Sequence, residues 1–131
     1  MEKDLVDKSL KMISDYLNKT FSVSLKQDPN TRETVSDWGF YPGKYTIEFR
    51  HPDELYEYLD EEFYDEMYDC GLPEDSIPIG FFKEESDYDP MAILLISWKS
   101  CDKPVIFFID TEWQQYQKTF SNISELDLES T

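Results

Sequence analysis

The chain opens with apolar side chains at helical spacing. Leu5, Val6, Leu10, Ile13, Tyr16 and Leu17 recur every three or four positions with charges between them, which predicts a helix over residues 3 to 18. The period then drops to two. Phe21, Val23 and Leu25 alternate with Ser22, Ser24 and Lys26, as in a half-buried strand. Asp28-Pro29-Asn30 marks a turn, and a loop carrying Trp38, Phe40 and Tyr41 ends at Pro42-Gly43. Tyr45, Ile47 and Phe49 alternate with Lys44, Thr46, Glu48 and Arg50, predicting a second strand.

A longer helix is expected over residues 52 to 70. Pro52 suits its first turn, where the missing N–H is not needed, and Asp53 and Glu54 suit its dipole. Leu55, Leu59, Phe63 and Met67 step by four along one face, and Gly71 is a natural stop. Wound at helical pitch, Tyr56 and Cys70 join that inner face. Tyr64 and Tyr68 fall nearly opposite it, flanked by Asp53, Glu57, Asp60 and Glu61, while Tyr58 lies on a flank toward Glu54 and Asp65.

Three more strands follow, at residues 77–82 (IPIGFF), 91–98 (MAILLISW) and 105–109 (VIFFI). The second is nearly all apolar, the pattern of a strand covered on both faces. Residues 100–103 read as a hairpin connection, and 121–128 as a short helix with Ile123, Leu126 and Phe120 packed inward. The expected fold is α+β: one domain over residues 1–131, a mostly antiparallel mixed sheet of about five or six strands, with helices packed on one side.

Charge changes the picture. Between Arg50 and Lys83 there is no Lys or Arg, while acids and tyrosines crowd the run, and the whole chain carries a formal charge of −17. An ordinary solvated helix face mixes Glu with Lys at four-residue spacing, whereas like charges there cost helix stability. Tolerated self-repulsion beside outward tyrosines fits a surface that meets a basic macromolecule, since tyrosine is enriched at interface hot spots. Glu84, Glu85, Asp87 and Asp89, with Tyr88, form a second acidic cluster on a loop. The expected contacts are Asp53, Glu57, Asp60, Glu61, Tyr64 and Tyr68, then Tyr58, Glu84, Glu85 and Asp87. A solvated face is the plain alternative reading of each cluster.

The same charge argues against direct nucleic-acid binding, which needs clustered cations, and against anionic membrane surfaces. No apolar run nears the ~20 residues of a membrane span, and the opening residues lack a signal-peptide pattern. A cytoplasmic setting is expected, with Cys70 and Cys101 as thiols rather than a disulfide. Catalytic chemistry finds little support. His51 is the sole histidine, its neighbourhood suggests capping or exposure, and no grouped glycines cradle a phosphate. Two distant cysteines and one histidine do not make a usual zinc site, and Asp87-Tyr88-Asp89-Pro90 lacks the central glycine of a calcium loop. No enzyme activity, metal or cofactor is expected. Trp38, Trp98 and Trp113 read as core or rim residues.

Several segments carry a family likeness. Pro78-Ile79-Gly80, the Asp87-Tyr88-Asp89 loop, the apolar strand 92–97, Pro104 to Asp110 and the closing run 120–126 resemble the SUKH superfamily. The Pro52 helix looks like that family's proline-initiated aromatic helix, so the likeness covers mainly residues 52–128. SUKH proteins are known chiefly as bacterial immunity proteins. The resemblance implies a non-enzymatic, intracellular binder of a cognate toxin, consistent with a basic nuclease domain as partner and with a monomer or weak dimer. The alternative from charge alone is a nucleic-acid mimic that inhibits DNA-binding proteins, its carboxylates standing in for phosphates. That alternative requires a ladder of acidic pairs at duplex phosphate spacing.

Overall fold

The structure, a computed structural model, describes residues 3–27, 29–30, 36, 38, 40–58, 76–87, 90–100, 103–110, 119–126 and 128–130. Helix α1 is Lys3–Met12 and α2 is Pro52–Tyr58. The strands are β1 Thr20–Leu25, β2 Gly43–Phe49, β3 Ile77–Glu84, β4 Ala92–Ser100, β5 Lys103–Asp110 and a two-residue β6, Glu129–Ser130. A 3-10 turn, Ile123–Leu126, precedes β6. The strands form one sheet in the order β5-β4-β3-β2-β1-β6, and each described pairing is antiparallel. The α+β expectation thus takes the form of an antiparallel sheet with, among the described residues, little helix.

Alternation builds the main core. Val23 and Leu25 of β1, Tyr45, Ile47 and Phe49 of β2, and Leu94, Ile96 and Phe108 from β4 and β5 share one buried cluster. Trp38 belongs there too, stacked on Phe108 at 5.3 Å between ring centroids. Helix α1 lies over this face, with Leu5 and Val6 packed against the cluster. Trp98 is half-buried and donates from Nε1 to Ser9 Oγ of α1 at 2.9 Å.

The helix predicted over residues 3 to 18 stops at Met12. Beyond it the chain tightens. Tyr16 N–H donates to the Ile13 carbonyl at 2.9 Å, three residues back, and Ser14 Oγ donates to the Lys11 carbonyl at 3.0 Å. A serine that bonds nearby backbone offers the chain an alternative to helix. Asn18, in the left-handed region at φ 61°, then turns the chain into β1. Ile13 is still buried, and Tyr16 and Leu17 still pack on the core, so the apolar spacing survives without a continuous helix.

The β4–β5 half of the sheet is buried on both faces, which corrects the one-sided layering there, whereas Ser24 of β1 is exposed. Ile93, Leu95, Phe107 and Ile109 point away from the main cluster, yet none is more than 1% exposed. Leu55 of α2 is likewise buried outside that cluster, and α2 packs against β3.

A β-bulge reconciles the pattern of β3. Pairing runs Ile77↔Ile96 and Pro78↔Leu95, then skips Ile79 to Gly80↔Leu94 and Phe82↔Ala92. The extra residue switches the parity, so Phe82 reaches the same core face as Ile77 although they are five positions apart. Phe82 stacks on Tyr45 at 4.8 Å.

The closing stretch touches both edges of the sheet. Phe120 and Ile106 exchange two backbone hydrogen bonds, at 2.7 and 2.9 Å, on the outer side of β5. Ile123 and Leu126 are buried in the main core, as the sequence predicts. β6 then pairs with Phe21 and Ser22 of β1 at the other edge.

Candidate partner-binding surface

Helix α2 starts where β2 ends, and His51 caps it. Its carbonyl accepts from Glu54 N–H at 3.0 Å and Leu55 N–H at 3.3 Å. Its Nδ1 accepts from Asp53 N–H at 3.0 Å, the role usually filled by Ser, Thr, Asp or Asn. The sole histidine therefore has a structural task. Asp53, Glu54 and Glu57 are exposed, while Leu55 is buried, so the helix is anchored by its apolar side and presents carboxylates outward. Among the described residues no lysine or arginine lies within ion-pair reach of these three. The His51 ring lies nearest, with Nδ1 3.7 Å from Asp53 Oδ2, but that nitrogen is the acceptor of Asp53 N–H, and Arg50 is paired with Glu48 instead.

Of the predicted contact residues, Asp60, Glu61, Tyr64 and Tyr68 lie outside the described residues, as does the Tyr58 side chain. Residues 59–70 of the expected helix, Cys70, Cys101, Tyr88, Asp89 and Trp113 do so too. Glu84, Glu85 and Asp87 are described and exposed, at the turn that ends β3. They do not join the described carboxylates of α2. Glu84 pairs with Tyr45 near the start of β2, whereas α2 departs after Phe49, four residues along the strand. At ~3.3 Å per residue that separates the two ends by roughly 13 Å.

The turn has an aromatic neighbour, Tyr41, in the loop that leads into β2. Tyr41 is 72% exposed, the most exposed large apolar side chain among the described residues. It lines a cleft of about 510 Å³ with Lys44, Glu84, Glu85 and Ser86. Its carbonyl accepts the Tyr45 hydroxyl at 2.5 Å, and Glu85 N–H donates to the Lys44 carbonyl at 3.1 Å. Burial of the Tyr45 ring, and then the negative charge of Glu84, raise that hydroxyl's pKa above its usual 10.0. The only sequence hint for Tyr41 is the Pro42-Gly43 pair after it, which favours an exposed bend.

A larger cleft of about 1,020 Å³ opens beside β1. Ser24 and Lys26 line one side, Leu128 and Glu129 another, and Tyr16 and Phe21 supply aromatic wall. No group of three metal-ligating side chains occurs among the described residues. No described helix is long and apolar enough to cross a membrane.

No protein-family model, curated protein or solved structure matches the chain.

Proposed function

We propose that this chain is a protein inhibitor of the immunity type, which neutralises a cognate toxin carrying a basic domain, a nuclease being the fitting kind. The observation that carries the reading is α2. Three exposed carboxylates stand there without a cationic partner among the described residues, on a segment anchored by Leu55. The net charge of −17 would steer a basic protein toward such a face. The SUKH-like segments and the tyrosines interleaved through residues 56–68 support the same reading.

The test begins with the stoichiometric partner captured on the full chain from a lysate of the producing cell. Association of that partner is then followed by stopped flow, with the wild type and with an Asp53→Lys/Glu57→Lys variant. The variant should associate roughly tenfold more slowly at low salt and show a flatter salt dependence. Dissociation should change less. An unchanged rate in a folded variant would remove α2 from the interface. A chain that captures many DNA-binding proteins instead of one partner would favour nucleic-acid mimicry.

A further inference from the structure

We infer that the cleft between Tyr41 and the turn ending β3 is a receptor for one arginine side chain of a partner protein. This rests on the reading of the partner as basic, and it adds a second contact at the end of β2 remote from α2.

The ladder builds both walls of the cleft. Tyr45 lies directly opposite Glu84, so their side chains share a face. The Tyr45 hydroxyl donates to the Tyr41 carbonyl at 2.5 Å, which holds Tyr41 beside that end of the ladder. Glu85 is tied there by its N–H, which donates to the Lys44 carbonyl at 3.1 Å, and Asp87 N–H closes the turn onto the Glu84 carbonyl at 3.0 Å. The backbone on each side is therefore fixed before any partner arrives. The Tyr41 side chain is nonetheless left 72% exposed on the wall of a cleft of about 510 Å³. Two carboxylates on a turn are an ordinary solvated feature. A held phenol ring left in water beside them is not, because tyrosine is a residue that interfaces bury as an anchor.

Charge and shape choose the occupant. Among the described residues neither Glu84 nor Glu85 is in an ion pair, the pairs there being those of Glu48 and Asp53. A second copy would bring another −17 to the cleft, so self-association is opposed by repulsion. A metal ion would need more ligands than two carboxylates, and no group of three occurs among the described residues. An organic cation fits, because an aromatic face attracts it through the ring quadrupole and the carboxylates through their charge. Guanidinium suits both at once: its plane stacks on a ring while its N–H groups fork to carboxylate oxygens. Ammonium is a point charge that does not stack. Lys44 also lines the cleft and opposes any cation there, so it gives the inference a test of opposite sign.

The experiment titrates the full chain with the capped tripeptide glycine–arginine–glycine, and with counterparts carrying lysine or uncharged citrulline in place of arginine. Heteronuclear NMR follows the Tyr41 ring and the amides of Glu84, Glu85 and Ser86. The arginine peptide should shift these signals saturably, the lysine peptide should bind about threefold more weakly and the citrulline peptide about tenfold more weakly. Tyr41→Leu keeps an apolar side chain and the carbonyl that Tyr45 bonds, and should weaken arginine binding about threefold through loss of the ring face. Glu84→Gln with Glu85→Gln should weaken it about tenfold, and Lys44→Met should tighten it severalfold. Unchanged Phe82 ring signals would show that each variant is folded. Equal binding of the citrulline peptide, absence of saturable binding, or indifference to Tyr41→Leu would overturn the inference. A captured partner that responds to the α2 variant but not to Tyr41→Leu would sink this cleft alone and leave the inhibitor reading standing. A partner that responds to Tyr41→Leu but not to the α2 variant would keep the cleft and remove α2.

Discussion

Gly80→Ala is a substitution whose sign tests the packing of β2 against β3. In an unstrained position alanine restricts the unfolded chain and stabilises by ~0.4–1 kcal/mol. Gly80 is not such a position. It pairs with Phe49 directly after the bulge, and a Cβ built there would lie 2.9 Å from the Glu48 carbonyl oxygen. The Glu48 carbonyl carbon and Phe49 Cα would follow at 3.5 and 3.6 Å. These are backbone atoms of β2, a strand held by β1 on its other side, so no flexible side chain can swing away. Overpacking of this kind costs ~1–3 kcal/mol. Subtracting the mid-range entropic gain from the mid-range overpacking cost leaves a net destabilisation of about 1 kcal/mol, or a fall in Tm of roughly 3–5 °C for a chain of this size. Urea unfolding followed by tryptophan fluorescence measures it: the midpoint should drop while the slope stays constant. A midpoint that rises, or does not move, would refute the close approach of the two strands.

Two further outcomes follow from side chains inside the sheet. Tyr45→Phe loses the hydroxyl's hydrogen bond to the Tyr41 carbonyl and should cost about 1 kcal/mol at neutral pH. Because the folded state raises the Tyr45 pKa, its stabilising contribution is full below about pH 10.0 and fades as pH climbs through the folded value. Denaturation curves from pH 8 upward should therefore show the wild type losing more stability than the phenylalanine variant. Thr46 is buried, and its Oγ1 has no hydrogen-bond partner in the described structure. Thr46→Val keeps the shape and removes an unsatisfied hydroxyl, so it should stabilise the chain by about 1 kcal/mol in the same assay. A loss of stability would mean that the hydroxyl is bonded in solution.

Much of the sheet was legible because strand patterns are local. Phe21, Val23 and Leu25, and then Tyr45, Ile47 and Phe49, announce their strands through a period of two that burial on one face demands. The apolar run of β4 announces burial on both faces, and the structure agrees, although the helices were expected on one side alone. Less was legible where pairing partners intervene. Nothing local marks Ile79 as the residue that β4 skips, since a bulge exists only relative to its neighbour. The end of α1 was overrun because its apolar spacing continues through Ile13, Tyr16 and Leu17, while Ser14 and Asn18 redirect the backbone.

The candidate surfaces divide in the same way. The amino-acid order alone determined an acidic chain with two carboxylate groups, at Asp53–Glu57 and at Glu84–Asp87, and an apolar anchor at Leu55 between the first. Charge and periodicity are properties of neighbours along the chain. Only the tertiary structure decided that those groups leave opposite ends of the β2–β3 ladder, that Tyr41 is exposed while Tyr45 is buried, and that β6 covers part of β1. Each of these depends on which distant strands share hydrogen bonds, and that choice is made by the whole core at once.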